Sequence, residues 1–172
     1  MLEINKALLE KDFADASGIF IELLESVDEN NFNRIPFPGS WTPAQLAEHV
    51  IKFTSGVAKV QTAPAVEANR PVDLNEGKLK AIFLDMNRKN IAPDFVQPGN
   101  DLLEKKVVIE KLKSIRQNII LAIDSNDLSL LCAGIQFPSL GELTRLEWIY
   151  FGIYHVQRHV IQLKNMLTYF KS

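Results

Sequence analysis

The stretch Trp148-Ile-Tyr-Phe-Gly-Ile-Tyr-His155-Val-Gln-Arg-His159-Val-Ile-Gln-Leu163 is apolar with a helical rhythm, and it carries two of the chain's three histidines four residues apart. Residues at i and i+4 share one helix face, with Cβ atoms about 5–6 Å apart. Two imidazoles so placed can grip one metal ion. Leu146, Ile149, Ile153, Val156, Val160, Leu163 and Leu167 supply the apolar contacts of this last helix, while His155 and His159 cluster with Trp148, Gly152 and Met166 within about one quadrant. Gly152, one turn before His155, is expected to leave space beside a metal on that flank.

The remaining histidine stands in Trp41-Thr-Pro-Ala-Gln-Leu-Ala-Glu-His49. Thr42 reads as an N-cap, Pro43 as the first helical residue and Gln45 as the N3 partner of a capping box. Trp41 and Leu46 have the spacing of a hydrophobic staple. The inward stripe is then Leu46, His49, Val50, Phe53, Val57 and Val60, which puts His49 on the buried side. If the two helices face each other, every histidine in the chain converges.

Working outward, two further helices appear. Ile4, Leu8, Phe13, Ala16, Phe20, Leu23, Leu24 and Val27 recur at helical spacing until Asp28-Glu-Asn-Asn31 interrupts them. Val108, Leu112, Ile115, Ile119 and Ile123 form another, with Lys and Arg outside. Between the second and third helices, residues 64–103 form a long crossover punctuated by Pro64, Pro71, Pro93, Pro98 and Gly99; Leu79, Ile82, Phe83 and Met86 predict a short helix within it. A loop with Cys132 and Pro138 leads to the last helix, for which Ser139-Leu-Gly-Glu142 and Thr144-Arg-Leu-Glu147 are alternative starts. Few segments look like strands. The expected fold is all-α: a four-helix bundle with a long crossover between helices 2 and 3, those two running the same way, in a single domain over residues 1–172.

Bulk properties narrow the function. The chain has 172 residues, 47% hydrophobic and 23% charged, with a net charge of −2. It has no basic stripe of the kind nucleic-acid binders carry and no polybasic membrane anchor, so neither nucleic acid nor membrane is expected as a partner. Cys132 is the sole cysteine, which forbids an internal disulfide. The opening Met-Leu-Glu-Ile-Asn-Lys lacks the basic and apolar regions of a signal peptide, and a cytoplasmic location is expected.

His49, His155 and His159 would give three nitrogens with one position left for water or substrate, the catalytic pattern. Imidazole suits zinc, nickel, iron and copper. The bland alternative is three core histidines satisfied by carbonyls. The zincin motif H-E-x-x-H is excluded because Val156 stands where its glutamate would be. Histidines one turn apart on one helix cannot grasp opposite faces of a haem. Glu48 reads as a solvated residue. Asp85 and Asp94 could reach the metal rim but read better as a helix-surface residue and a turn residue beside Pro93. Tyr154 and Arg158 read as residues of a bundle edge or partner subunit, and Cys132 as a small apolar loop residue.

Ser40-Trp-Thr-Pro-Ala-Gln-Leu-Ala-Glu-His49, the long crossover, and Gly141-Glu-Leu-Thr-Arg-Leu-Glu-Trp148 through His155-Val-Gln-Arg-His159-Val-Ile-Gln-Leu163 together resemble the DinB-like superfamily of DinB/YfiT-type metalloenzymes. The resemblance spans essentially the whole chain. It implies a four-helix bundle, frequently a homodimer, in which three histidines bind a divalent transition metal, nickel or zinc in typical members. These map onto His49, His155 and His159 with none missing. Relatives with known activity include thiol-dependent S-transferases and mycothiol-dependent maleylpyruvate isomerases. The expectation is therefore thiol-dependent S-transfer to a small molecule, with a low-molecular-weight thiol as cosubstrate. Metal-dependent hydrolysis and a non-catalytic metal-binding bundle are the alternatives.

Overall fold

Two capping boxes fix where the histidine-bearing helices begin. The computed structural model describes residues 3–170; Met1, Leu2, Lys171 and Ser172, included in the expected domain, lie outside the described residues. In helix α3 (Pro43–Val60) the Thr42 hydroxyl accepts the Gln45 amide while the Gln45 side chain returns a bond to the Thr42 N–H. Helix α6 (Arg145–Thr168) repeats the device with Thr144 and Glu147. Each cap satisfies two otherwise orphaned donors, and losing such a side chain typically costs about 1 kcal/mol. Of the two starts expected for this helix, Thr144 is the one used.

Helices α1 (Lys6–Ser26) and α5 (Lys105–Ser125) complete a four-helix bundle. The break expected at Asp28–Asn31 is a single extra turn, α2 (Glu29–Phe32), capped by Asp28, and its Phe32 is fully buried. The crossover contains α4 (Glu76–Leu84), which buries Leu79 and Phe83, and a 3-10 turn at Asp94–Val96. One contiguous apolar core draws on all six helices, with Phe13, Phe20, Leu46, Leu79, Ile119 and Ile149 among its fully buried members.

The expected loop before α6 is instead a β-hairpin. Strands β2 (Leu131–Phe137) and β3 (Gly141–Thr144) pair antiparallel, and β1 (Ala65–Val66) at the start of the crossover adds a third strand beside β2. The turn needs left-handed backbone at Ser139 (φ 68) and Gly141 (φ 76), which is why the Ser139–Glu142 segment closes a hairpin rather than capping a helix. Cys132 is thus a strand residue. It is wholly buried, and that burial pushes its thiol pKa up to about 11, so it fits the small apolar role expected of it. No helix among the described residues is long and apolar enough to cross a membrane.

Candidate metal centre

His49 from α3 meets His155 and His159 from α6 in the middle of the bundle. Ring centroids are 5.4 Å apart for His49–His155, 4.8 Å for His49–His159 and 4.5 Å for His155–His159. One potential ligand atom from each lies within 4.8 Å of the others, so the trio can share a single metal ion. Among the described residues no other three histidine, cysteine or acidic side chains gather in this way. Asp85 and Asp94 do not join them.

Hydrogen bonds fix the state of two rings. His49 Nδ1 lies 2.8 Å from the carbonyl oxygen of Val96. A carbonyl can only accept, so Nδ1 carries the proton and Nε2 keeps its lone pair. His159 Nδ1 donates likewise to Gln162 Oε1 at 2.7 Å, leaving its Nε2 buried and without any partner. His155 Nδ1 is also buried and unpartnered. Buried polar atoms without partners each cost about 1–3 kcal/mol. Two such nitrogens in one cluster of three imidazoles are what a bound cation would satisfy.

Aromatic rings surround the cluster. Phe53 stacks on His155 at 4.0 Å with 19° between planes, Phe83 lies 4.6 Å and Phe151 5.1 Å from the same ring, and Trp41 stands 5.2 Å from His49. This burial disfavours the imidazolium form. It lowers the pKa of His49, takes His155 well below its ordinary value and brings His159 down to about 3; the neighbouring imidazoles add to the effect for the latter two. All three rings are therefore neutral near pH 7, the form that binds metals.

The surroundings correct several expectations. A Cβ on Gly152 would meet Val57 at 3.5 Å and Phe13 at 3.7 Å, so this glycine serves the contact of α6 with α1 and α3 rather than opening space beside a metal. Tyr154 and Arg158 turn inward onto the crossover, not to a bundle edge. Tyr154 donates to Glu76, and Arg158 donates to the carbonyls of Phe83, Asp85 and Arg88 at 3.3, 2.9 and 2.6 Å. Glu48 is not a free surface charge either. It accepts the Gly99 amide at 2.9 Å and pairs with Lys52 at 2.9 Å. The Val96 carbonyl has no sequence signature and was not foreseeable, whereas Gln162 lies three residues after His159, a spacing that places it on the same helix face.

A sequence model of the DinB superfamily matches residues 13–163, a span that takes in all three histidines. The chain belongs to the DinB superfamily. Among its relatives, this DinB protein is 24% identical over 143 residues to the uncharacterized protein YuaE of Bacillus subtilis (strain 168), covering 83% of this chain and 87% of that one. Its fold is similar to the crystal structure of TT2238, a four-helix bundle protein, with a TM-score of 0.59 and 18% identity across 94% of this chain and 99% of that one.

Proposed function

We propose that this DinB protein is a metal-dependent enzyme acting on a small molecule, that His49, His155 and His159 ligate one nickel or zinc ion, and that its reaction is thiol-dependent S-transfer. The observation that carries the metal is the pair of buried, partnerless imidazole nitrogens on His155 and His159 beside a third ring whose lone pair is left free. A three-nitrogen donor set suits both ions. When bound, such a cation supplies Lewis acidity, stabilising a thiolate or other anion at its open position.

The chain's own residues do the rest. Neutral imidazoles leave the cation's positive charge undiminished. Val96 and Gln162 hold the tautomers of His49 and His159, and Phe53, Phe83 and Phe151 keep water away from the rings. Thiol transfer is favoured over hydrolysis for a chemical reason as well as by the superfamily's precedents. No carboxylate among the described residues joins the cluster to take a proton from water. A thiol, with a pKa near 8.5, is deprotonated outright on such a cation, whereas bound water still titrates near about 7. A homodimer, as the resemblance implies, is the assembly we propose.

Elemental analysis of purified protein is expected to find about one transition metal per chain and His155→Ala to abolish it. With metal bound, incubation with bacillithiol, glutathione, coenzyme A or cysteine and a model electrophile is expected to give metal-dependent adducts. Silence across that panel would transfer support to hydrolysis or to metal binding without catalysis. Absence of metal from both proteins would remove the reading altogether.

A further inference from the structure

Gln45, Glu48, His49 and Lys52 occupy positions i, i+3, i+4 and i+7 of α3 and so form one stripe of the helix. All four grip the same short piece of the crossover. Gln45 Nε2 donates to the Gly99 carbonyl at 3.0 Å, and Glu48 Oε2 accepts the Gly99 amide at 2.9 Å. Lys52 Nζ donates to the Gln97 carbonyl at 2.6 Å, and His49 Nδ1 donates to the Val96 carbonyl at 2.8 Å. Glu48 and Lys52 also pair with each other. His49 is buried, whereas the other three sit half-exposed at the rim. The strap is internally braced by the 3-10 turn, with Val96 N donating to Pro93 O and Gln97 N to Asp94 O. Fixing Gln97 and Gly99 on α3 therefore fixes the direction of the Val96 carbonyl.

We propose that Gln45, Glu48 and Lys52 are positioning residues for the metal centre: they clamp residues 96–99 onto α3, and the clamped Val96 carbonyl sets which nitrogen of His49 faces the cation. The proposal rests on the metal reading above. The terminal torsion of histidine is broad and roughly two-fold, so an unrestrained ring can present either nitrogen. A ligating histidine is normally held by an acceptor at its other nitrogen, and loss of that support costs about 10- to 100-fold in metal affinity. Here the acceptor is a backbone atom that no single substitution removes, and its aim depends on neighbours that never touch the metal. Linkage requires the converse as well: cation binding at His49 tightens the strap.

The test uses the full chain, zinc affinity by chelator competition, and the visible absorption bands of the cobalt-substituted protein. Glu48→Ala is expected to weaken zinc binding about 10-fold and to shift the cobalt bands. Glu48→Gln, whose amide oxygen can still accept the Gly99 N–H, is expected to restore most of both. Hydrogen exchange in residues 94–100 is expected to slow on zinc addition in the unsubstituted protein and to respond less in Glu48→Ala. Should Glu48→Ala fail to fold, Lys52→Ala, which removes only the bond to Gln97 and the pair with Glu48, gives the same readouts. Unsubstituted protein that binds zinc, with variants that bind equally tightly and show an unchanged cobalt spectrum, overturns the clamp and leaves the metal reading standing. Unsubstituted protein that binds neither zinc nor cobalt overturns both.

Discussion

Arg70 and Glu147 meet in a two-pronged ion pair, Nη1 to Oε1 at 2.9 Å and Nη2 to Oε2 at 2.6 Å, whose carboxylate is wholly buried. The same carboxylate accepts the amides of Thr144 at 2.9 Å and Asn75 at 2.8 Å. One side chain thus caps α6, which carries two of the histidines, and ties the first half of the crossover to it. Removing one member of a buried pair strands the other and costs about 3–5 kcal/mol. Glu147→Ala is expected to lose stability on that order in urea unfolding, because three donors lose their acceptor together. A loss below about 1 kcal/mol would place the pair among ordinary surface contacts.

The pH dependence of the metal-free protein follows from the histidines. Unfolded histidine titrates near 6.5, whereas burial holds the folded rings lower, His159 to about 3. Between those values the unfolded chain binds protons that the folded chain refuses. Stability present above pH 6.5 is therefore lost as pH falls, by about 1.4 kcal/mol per pH unit for His159 alone. Chelator-treated protein is expected to unfold at lower urea concentration at about pH 5 than at about pH 7.5. His159→Leu is expected to make that dependence shallower.

Arg158 anchors the far side of the crossover through three backbone carbonyls. Hydrogen bonds to a charged group contribute about 1.5–3 kcal/mol each. Arg158→Ala is expected to free the segment after α4. Trypsin, attacking the exposed Arg88 and Lys89, should then cut there faster than in the unsubstituted protein. An unchanged cleavage rate would mean the segment is held by other contacts.

Gly152 offers a test of opposite sign. The contacts its added Cβ would make, at 3.5 and 3.7 Å, are ordinary packing distances. Alanine in a helix interior is favoured over glycine by about 0.5–1 kcal/mol. Gly152→Ala is expected to raise the unfolding midpoint slightly and to leave zinc affinity unchanged. Weakened zinc binding would reinstate a role for this glycine beside the metal.

The helices were legible in the sequence wherever local chemistry decides alone. Thr42, Pro43 and Gln45 announce a helix start through bonds made within four residues, and Thr144 with Glu147 does the same. The hairpin at residues 131–144 was not legible. Its strands are short, its register is broken between Leu131 and Gln136, and glycines at 134 and 141 interrupt any clean alternation. The sheet also depends on Ala65 and Val66, far away in the chain. The part of the site carried by side chains on one helix face, including the inward orientation of His49, could be read from spacing, while the aromatic surround from α4 could not.

Sequence by itself determined the four-helix architecture and the three histidines, because helical periodicity and capping are properties of neighbouring residues. Only the folded chain decided that the rings meet within reach of one ion, that Val96 and Gln162 hold two of their tautomers, and that Arg158 and Glu48 bind the crossover. Those facts are contacts between segments distant in the chain, several of them made to backbone atoms, and a carbonyl group is the same in every residue until the fold aims it.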